Sequence, residues 1–237
     1  MSGRVGSITT DIVSNGLVFN IDAANRASTI PNTSTIITFN TVDSSVSGSI
    51  STDATWEDGS PSSFDFDGTD GYIDFSNLGS IWNMTNSAYT INLWYKQQQG
   101  SGGGMPIIHF YGGSGGTTPM FWIYNRPQFS RWDVYNNNGA GLNRFVIVTT
   151  TGVWYNITFT WSASEGLINA YQNGVFNSSQ TQTSAPASDN TNFEIGRDNA
   201  LSTNLNANIA SLQLYNRALS AAEVLQNYNA LKGRFGV

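Results

Sequence analysis

The stretch Val153-Trp-Tyr-Asn-Ile-Thr-Phe-Thr-Trp161 limits what this chain can fold into more than any other. Val153, Tyr155, Ile157, Phe159 and Trp161 recur at every second position, with Asn156, Thr158 and Thr160 between them. Five apolar residues at period two line one face of an extended strand, whereas on a helix they would scatter around the axis. The segment therefore reads as a core strand. Tyr89, Ile91, Leu93 and Tyr95 make a second central strand on the same logic. Asn173-Gly174, between Leu167–Gln172 and Val175–Thr181, predicts a two-residue hairpin, because both central positions of a type I′ turn need positive φ. Short outer strands fit the Ser/Thr/Asp-rich text between Ile36 and Glu57. Short strands punctuated by Gly and Asn, with no internal repeat, point to a sandwich or jelly roll, not a parallel α/β fold. Gln97–Gly104 and Gly112–Pro119 read as loops flanking a strand over Pro106–Tyr111.

Charge and cysteine usage exclude several functions. The net charge is −6 with no basic stripe, so nucleic-acid binding is not expected. Cysteine is absent, which excludes a disulfide framework, thiolate catalysis and cysteine-ligated zinc. Residues 1–10 lack the apolar core of about 7–15 residues that a secretion leader needs. No run approaches the roughly 18 apolar residues of a membrane helix. A single domain of 237 residues would bury roughly 70–75% of its unfolded surface, enough for a large core without staples. Residues 1–15 are small and polar and read as an N-terminal arm, with one domain over 16–237.

The chain ends differently from how it runs. In Ile209–Tyr215, Ala210, Leu212 and Leu214 share one strand face. Ser220 then stands at an N-cap position with Glu223 three residues on, a capping box, and Leu219 and Val224 form a hydrophobic staple. Val224, Leu225, Tyr228 and Leu231 follow at helical spacing, and Gly233 is expected to supply a left-handed stop.

This ending, taken with Gly16–Asn25, Phe64–Tyr72, Tyr89–Lys96, Ala170–Val175 and Phe193–Arg197, resembles the laminin-G-like, concanavalin A-like jelly rolls of virion proteins from tailed bacteriophages. The resemblance implies an all-β fold, an antiparallel jelly-roll sandwich with one short C-terminal helix. It further implies a non-enzymatic structural component of a virion assembled in the host cytoplasm, a capsid decoration or accessory protein. The implied partners are other virion proteins, the major capsid protein among them, and further copies of the chain, as in a trimer. The other reading is a lectin-like, carbohydrate-binding module for host-surface glycans.

Catalytic signatures are weak. Retaining glycosidases hold two carboxylates about 5–5.5 Å apart, and laminarinase-like relatives of this fold carry them as Glu-x-Asp-x-Glu or Glu-x-Asp-x-x-Glu. None of Glu57, Glu165, Glu194 or Glu223 sits in such a pattern. The single histidine, His109, lies in an apolar strand, and no Gly-x-Ser-x-Gly elbow presents a serine. Asp65, Asp67, Asp70 and Asp74 could offer oxygen ligands to calcium, but Asp67-Gly68 and Asp70-Gly71 are also turn dipeptides, and turn chemistry is the favoured expectation. Trp122, Tyr124, Arg131, Trp132, Tyr135 and Asn136 supply flat rings, amides and a guanidinium suited to a sugar; the competing reading has Phe121, Ile123, Trp132 and Val134 alternating into the core. In the arm, Arg4, Val5, Ile8, Ile12 and Val13 are the candidates for docking onto a partner.

Overall fold

The computed structural model describes residues 11–30, 37–76, 88–99, 103–112, 118–136, 141–186, 192–198 and 203–237. Along the chain run β1 (Leu17–Asp22), β2 (Thr29–Ile30), β3 (Ile37–Phe39), β4 (Ser47–Ile50), β5 (Ala54–Glu57), β6 (Ser63–Asp67), β7 (Ile73–Ser76), β8 (Ala88–Gln97), β9 (Met105–Gly112) and β10 (Thr118–Arg126). They are followed by β11 (Arg131–Asn136), β12 (Gly141–Val146), β13 (Trp154–Ser162), β14 (Leu167–Gln172), β15 (Val175–Thr181), β16 (Asn192–Ile195), β17 (Arg197–Asp198), β18 (Thr203–Asn204), β19 (Asn206–Tyr215) and the helix α1 (Ala221–Leu231).

Two antiparallel sheets face each other. The first has the order β15-β14-β13-β8-β19-β6-β5, with β1 also paired to β19; the second has the order β12-β11-β10-β9-β16-β7-β4-β3-β2. This is the concanavalin A-like jelly roll expected from the alternating strands. Ile157, Phe159 and Trp161 of β13 and Ile91, Leu93 and Tyr95 of β8 point into the space between the sheets. There they meet Phe110, Phe121, Ile123, Trp132, Phe145 and Phe193 of the second sheet. The rings pack edge to face where space allows, as in Phe19–Phe75 (5.1 Å, 84°) and Tyr95–Trp132 (5.1 Å, 80°), an arrangement contributing roughly 0.5–1.5 kcal/mol per pair beyond burial. Asn173 and Gly174 both have positive φ, 52° and 76°, as the β14–β15 hairpin requires.

The outer face of the first sheet is covered as well. Ser220 caps α1 through a complete capping box with Glu223, and Leu219 and Val224 are buried with Tyr171 and Tyr215. Trp94 is stacked on Phe235 (3.8 Å, 7°) and faces Tyr228 on the helix (5.7 Å, 19°). The polar residues on this face are consequently buried and bonded to one another. Asn92 Oδ1 accepts from Asn156 Nδ2 (2.9 Å) and Thr158 Oγ1 (2.6 Å), and Asn92 donates to Gln213.

Four sequence expectations are corrected. Val153, read as the first core residue of its strand, precedes β13 and is exposed. Ala210 does not share a face with Leu212 and Leu214, because a bulge between Ile209 and Ser211 shifts the register; Ala210 packs instead with Trp94, Trp154 and Phe235. Gly233 is not a left-handed stop. The helix tightens into a 3-10 turn over Lys232–Arg234, and the positive φ falls at Gly236 (67°). Leu225, placed on the helix's packing face by spacing, is 43% exposed. Parts of both glycine-rich loops, residues 100–102 and 113–117, lie outside the described residues.

Candidate functional site

Unlike the first sheet, the second carries no helix on its outer face among the described residues. Over β10, β11 and β12 that face forms a regular grid. Trp122, Tyr135 and Leu142 stand opposite one another in one row. Tyr124, Asp133 and Arg144 make the next row, and Arg126, Arg131 and Val146 the third. The grid exists because alternate residues of the same strands, Phe121, Ile123, Trp132, Val134 and Phe145, are committed to the core. A 3-10 turn over Pro127–Phe129, closed by Ser130 at φ 47°, sets the β10–β11 register and brings Arg126 opposite Arg131.

Two like charges directly opposite in a sheet repel. Asp133, fully buried, sits one row in; its Oδ2 accepts from Arg126 Nε and from Arg131 Nη2 at 3.0 Å, and its Oδ1 lies in ion-pair contact with Arg131 Nε at 2.7 Å. Each guanidinium also lies against a ring, Arg126 at 5.4 Å from the Tyr124 centroid and Arg131 at 5.1 Å from that of Phe129. Trp122 and Tyr135, both half-buried, stack at 5.0 Å with only 13° between their planes. Tyr124 meets Trp122 edge-on at 4.7 Å.

Beside this grid, on the same face of the sheet, lies a buried polar cluster where β17 and β18 pack against β9. His109 is opposite Trp122 on one side and Glu194 on the other. It is fully buried, stacks on Tyr111 at 4.0 Å, and has Nδ1 3.5 Å from Asp198 Oδ1. Neither ring nitrogen has a hydrogen bond. Exclusion of water pushes its pKa down to about 4, and the Asp198 charge only partly opposes that, so the ring is neutral near pH 7. Tyr124 donates to Asp198 Oδ2, and burial first, then that carboxylate, push its phenol far up. Further along, Arg197 pairs with Glu194 and lies 3.4 Å from the Tyr72 ring centroid. Asp74, opposite Glu194, has its carboxyl pushed up by burial, with Arg197 acting against the shift.

The six residues singled out from sequence divide by strand parity. Trp122, Tyr124, Arg131 and Tyr135 share the outer face, although Tyr124 is 2% exposed and acts as a support. Trp132 and Asn136 do not join them. Trp132 is fully buried against Tyr95 and Phe159, and Asn136 donates to the Ser184 carbonyl at 2.8 Å. Arg126, Asp133 and Arg144 were missed. The Arg126–Arg131 pairing could have been found by folding the hairpin around Pro127.

The four acidic candidates do not form one cluster, although Asp70 and Asp74 line a common cavity with Asp53. Asp65 lies on β6 in the first sheet, where it shares the Asn208 amide with Glu57. Asp67 accepts from the Thr69 backbone (2.9 Å) and hydroxyl (2.6 Å), which lower its pKa. Asp70 is exposed, and Asp74 is on β7 in the second sheet. Among the described residues no group of three His, Asp or Glu side chains is placed to hold a metal ion. In the arm, Arg4, Val5 and Ile8 lie outside the described residues. Val13 is not free to dock elsewhere: its N–H donates to Asn227 Oδ1 (2.8 Å) and its carbonyl accepts from Tyr215 (3.0 Å). Ile12, beside it, is half-buried.

The two packed antiparallel sheets define a concanavalin A-like jelly-roll module. Residues 67–225, more than half of the chain, match the family model described as the concanavalin A-like lectin/glucanases superfamily, and the chain belongs to that superfamily. No curated protein matches it in sequence. Among solved structures it is similar to Trypanosoma rangeli sialidase in complex with 2,3-difluoro-KDN, with 15% identity, a TM-score of 0.67, and 96% of this chain on 37% of that one. The botulinum neurotoxin serotype G binding domain gives 15% identity and a TM-score of 0.68 over 90% of this chain and 50% of that one. The serotype D ligand binding domain, in complex with N-acetylneuraminic acid, gives 13% and 0.67 over the same shares. The chain thus spans between about a third and a half of the length of these neighbours.

Proposed function

We propose that the chain is a non-catalytic carbohydrate-binding module whose binding face is the outer surface of β10–β12. The observation that carries this is the Trp122–Tyr135 pair, stacked with nearly parallel planes and half-buried on a sheet face that no helix among the described residues covers, so that an outward ring face remains for a ligand. Flat rings of this kind hold the C–H patches of a pyranose, and the adjoining guanidiniums supply donors for its oxygens. The glycan-bound states of the sialidase and the neurotoxin domain lend the reading support at the level of the fold. A non-catalytic role is supported by how the carboxylates are engaged. Asp133 holds two arginines, Glu194 pairs with Arg197, and Glu223 serves the cap and Arg217. On a glycan array, wild-type protein should bind and Trp122→Ala should lose binding while remaining folded, with only the modest drop in Tm that its two ring contacts imply. Equal binding by both would overturn the assignment.

The module's setting is the surface of a tailed-phage particle, as a decoration or accessory protein. This rests on the resemblance of the C-terminal segment Leu225–Gly236 and of the other matched segments. Immunogold labelling of purified particles tests it, since dense label on shell or tail supports the setting and unlabelled particles refute it.

A further inference from the structure

From the charge arrangement on this face we infer the class of sugar it selects: one bearing a carboxylate, of the sialic or uronic acid type. The inference rests on the carbohydrate-binding reading above and narrows it. The protein is acidic, with 10 Lys and Arg against 16 Asp and Glu, yet Arg126, Arg131 and Arg144 occupy one three-strand patch. The grid holds a single carboxylate in return, Asp133, fully buried beneath the guanidiniums. Three cations against Asp133 within the grid and Asp198 beside it at Tyr124 still leave an excess of positive charge beside the aromatic pair.

The guanidiniums are also fixed and only partly used. Asp133 accepts from Nη2 of Arg131 and Nε of Arg126, with Arg131 Nε beside it in ion-pair contact. Nη1 of Arg131 and both Nη groups of Arg126 have no acceptor among the described residues. Arg144, exposed and opposite Asp133, makes no ion pair with any described residue. A planar fork of N–H groups matches the two coplanar oxygens of a carboxylate, and stacking on Tyr124 and Phe129 reduces the freedom lost when one binds. The spacing fits as well. Arg144 is one row along and one strand over from Tyr135, about 8 Å, and two strands over from Trp122, about 12 Å, so a ring stacked at the Tyr135 end of the aromatic pair presents its carboxylate to that arginine.

Calorimetric titration with sialyllactose and trigalacturonic acid, each against its own methyl ester, isolates the charge. At least one acid should bind about tenfold or more tightly than its ester, and the advantage should shrink with added salt. In Arg144→Gln, which removes no described contact, that preference should collapse while the ester's affinity stays unchanged. Trp122→Ala should weaken acid and ester together. Equal affinity for acid and ester, or a preference that survives both Arg144→Gln and Arg126→Gln, overturns the inference. If neither acid binds while neutral array glycans do, this inference fails and the carbohydrate reading stands. A protein that binds no glycan at all refutes both.

Discussion

Acidification should destabilise this protein through one residue. His109 is the single histidine. It is faced by Asp198, which also accepts from Tyr124, and by Tyr111, with Glu194 and Trp122 opposite it on the neighbouring strands. Its pKa is pushed from 6.5 down to about 4, chiefly because burial strips water from the charged form. An unfolded chain takes up a proton near 6.5, whereas the folded protein resists until about 4. Between those values the unfolded state binds more protons, so stability is fully present above pH 6.5 and falls as pH drops through the window. At about 1.4 kcal/mol per pH unit, the loss reaches about 3 kcal/mol by pH 4. Glu223 contributes with a carboxylate's sign and lower down, since its pKa is held at about 2 by Arg217 and the capping contacts, and that stability is lost only below about 4.5. Asp74, pushed up by burial, acts in the opposite sense. Urea denaturation of wild type and His109→Gln between pH 7.5 and 4.5 cancels the carboxylates and leaves the histidine. Wild type should lose stability relative to the variant as the pH falls. NMR of the one imidazole gives an independent check. A ring that titrates near 6.5 in the folded protein, or two parallel stability profiles, would refute the reasoning.

Other perturbations have equally definite outcomes. Gly48→Ala places a Cβ 2.5 Å from Phe75 Cζ and 2.8 Å from Ile73 Cγ2, both in the closed core; it should cost about 1–3 kcal/mol by chemical denaturation. Ser220→Ala removes the cap that accepts from the Glu223 N–H and should cost about 1 kcal/mol, seen as a lowered Tm. Asp133→Asn leaves Arg126 and Arg131 opposed without their buried counter-charge and should cost about 3 kcal/mol. That variant should also regain stability when either arginine is changed to Gln.

Much of the fold was legible because burial in a sandwich writes itself as alternation. The β13 strand, the Asn173-Gly174 hairpin with both flanking strands, and the capped helix follow from local patterns. What stayed hidden depends on partners far away in sequence. Asn156 and Thr158 read as a polar outer face, yet they are buried because a helix from the other end of the chain closes over them. A bulge turned Ala210 around without a sign in its composition. In the candidate site, parity separates Trp132, with Val134, from Tyr135 and could have removed it. The guanidinium pair around Asp133 needed the β10–β11 register. His109 lies in an apolar strand as read, but its neighbour Asp198 comes from a segment 89 positions away.

The central claim is that glycan settles on the outer face of β10–β12. With 7 tryptophans in the chain, the most direct measurement is the indole N–H spectrum during titration with an array-positive glycan. The account predicts that Trp122 shifts in a saturable manner while Trp132 and Trp94, buried on other faces, hold their positions. Shifts confined to tryptophans of the first sheet, with Trp122 unmoved, would contradict it.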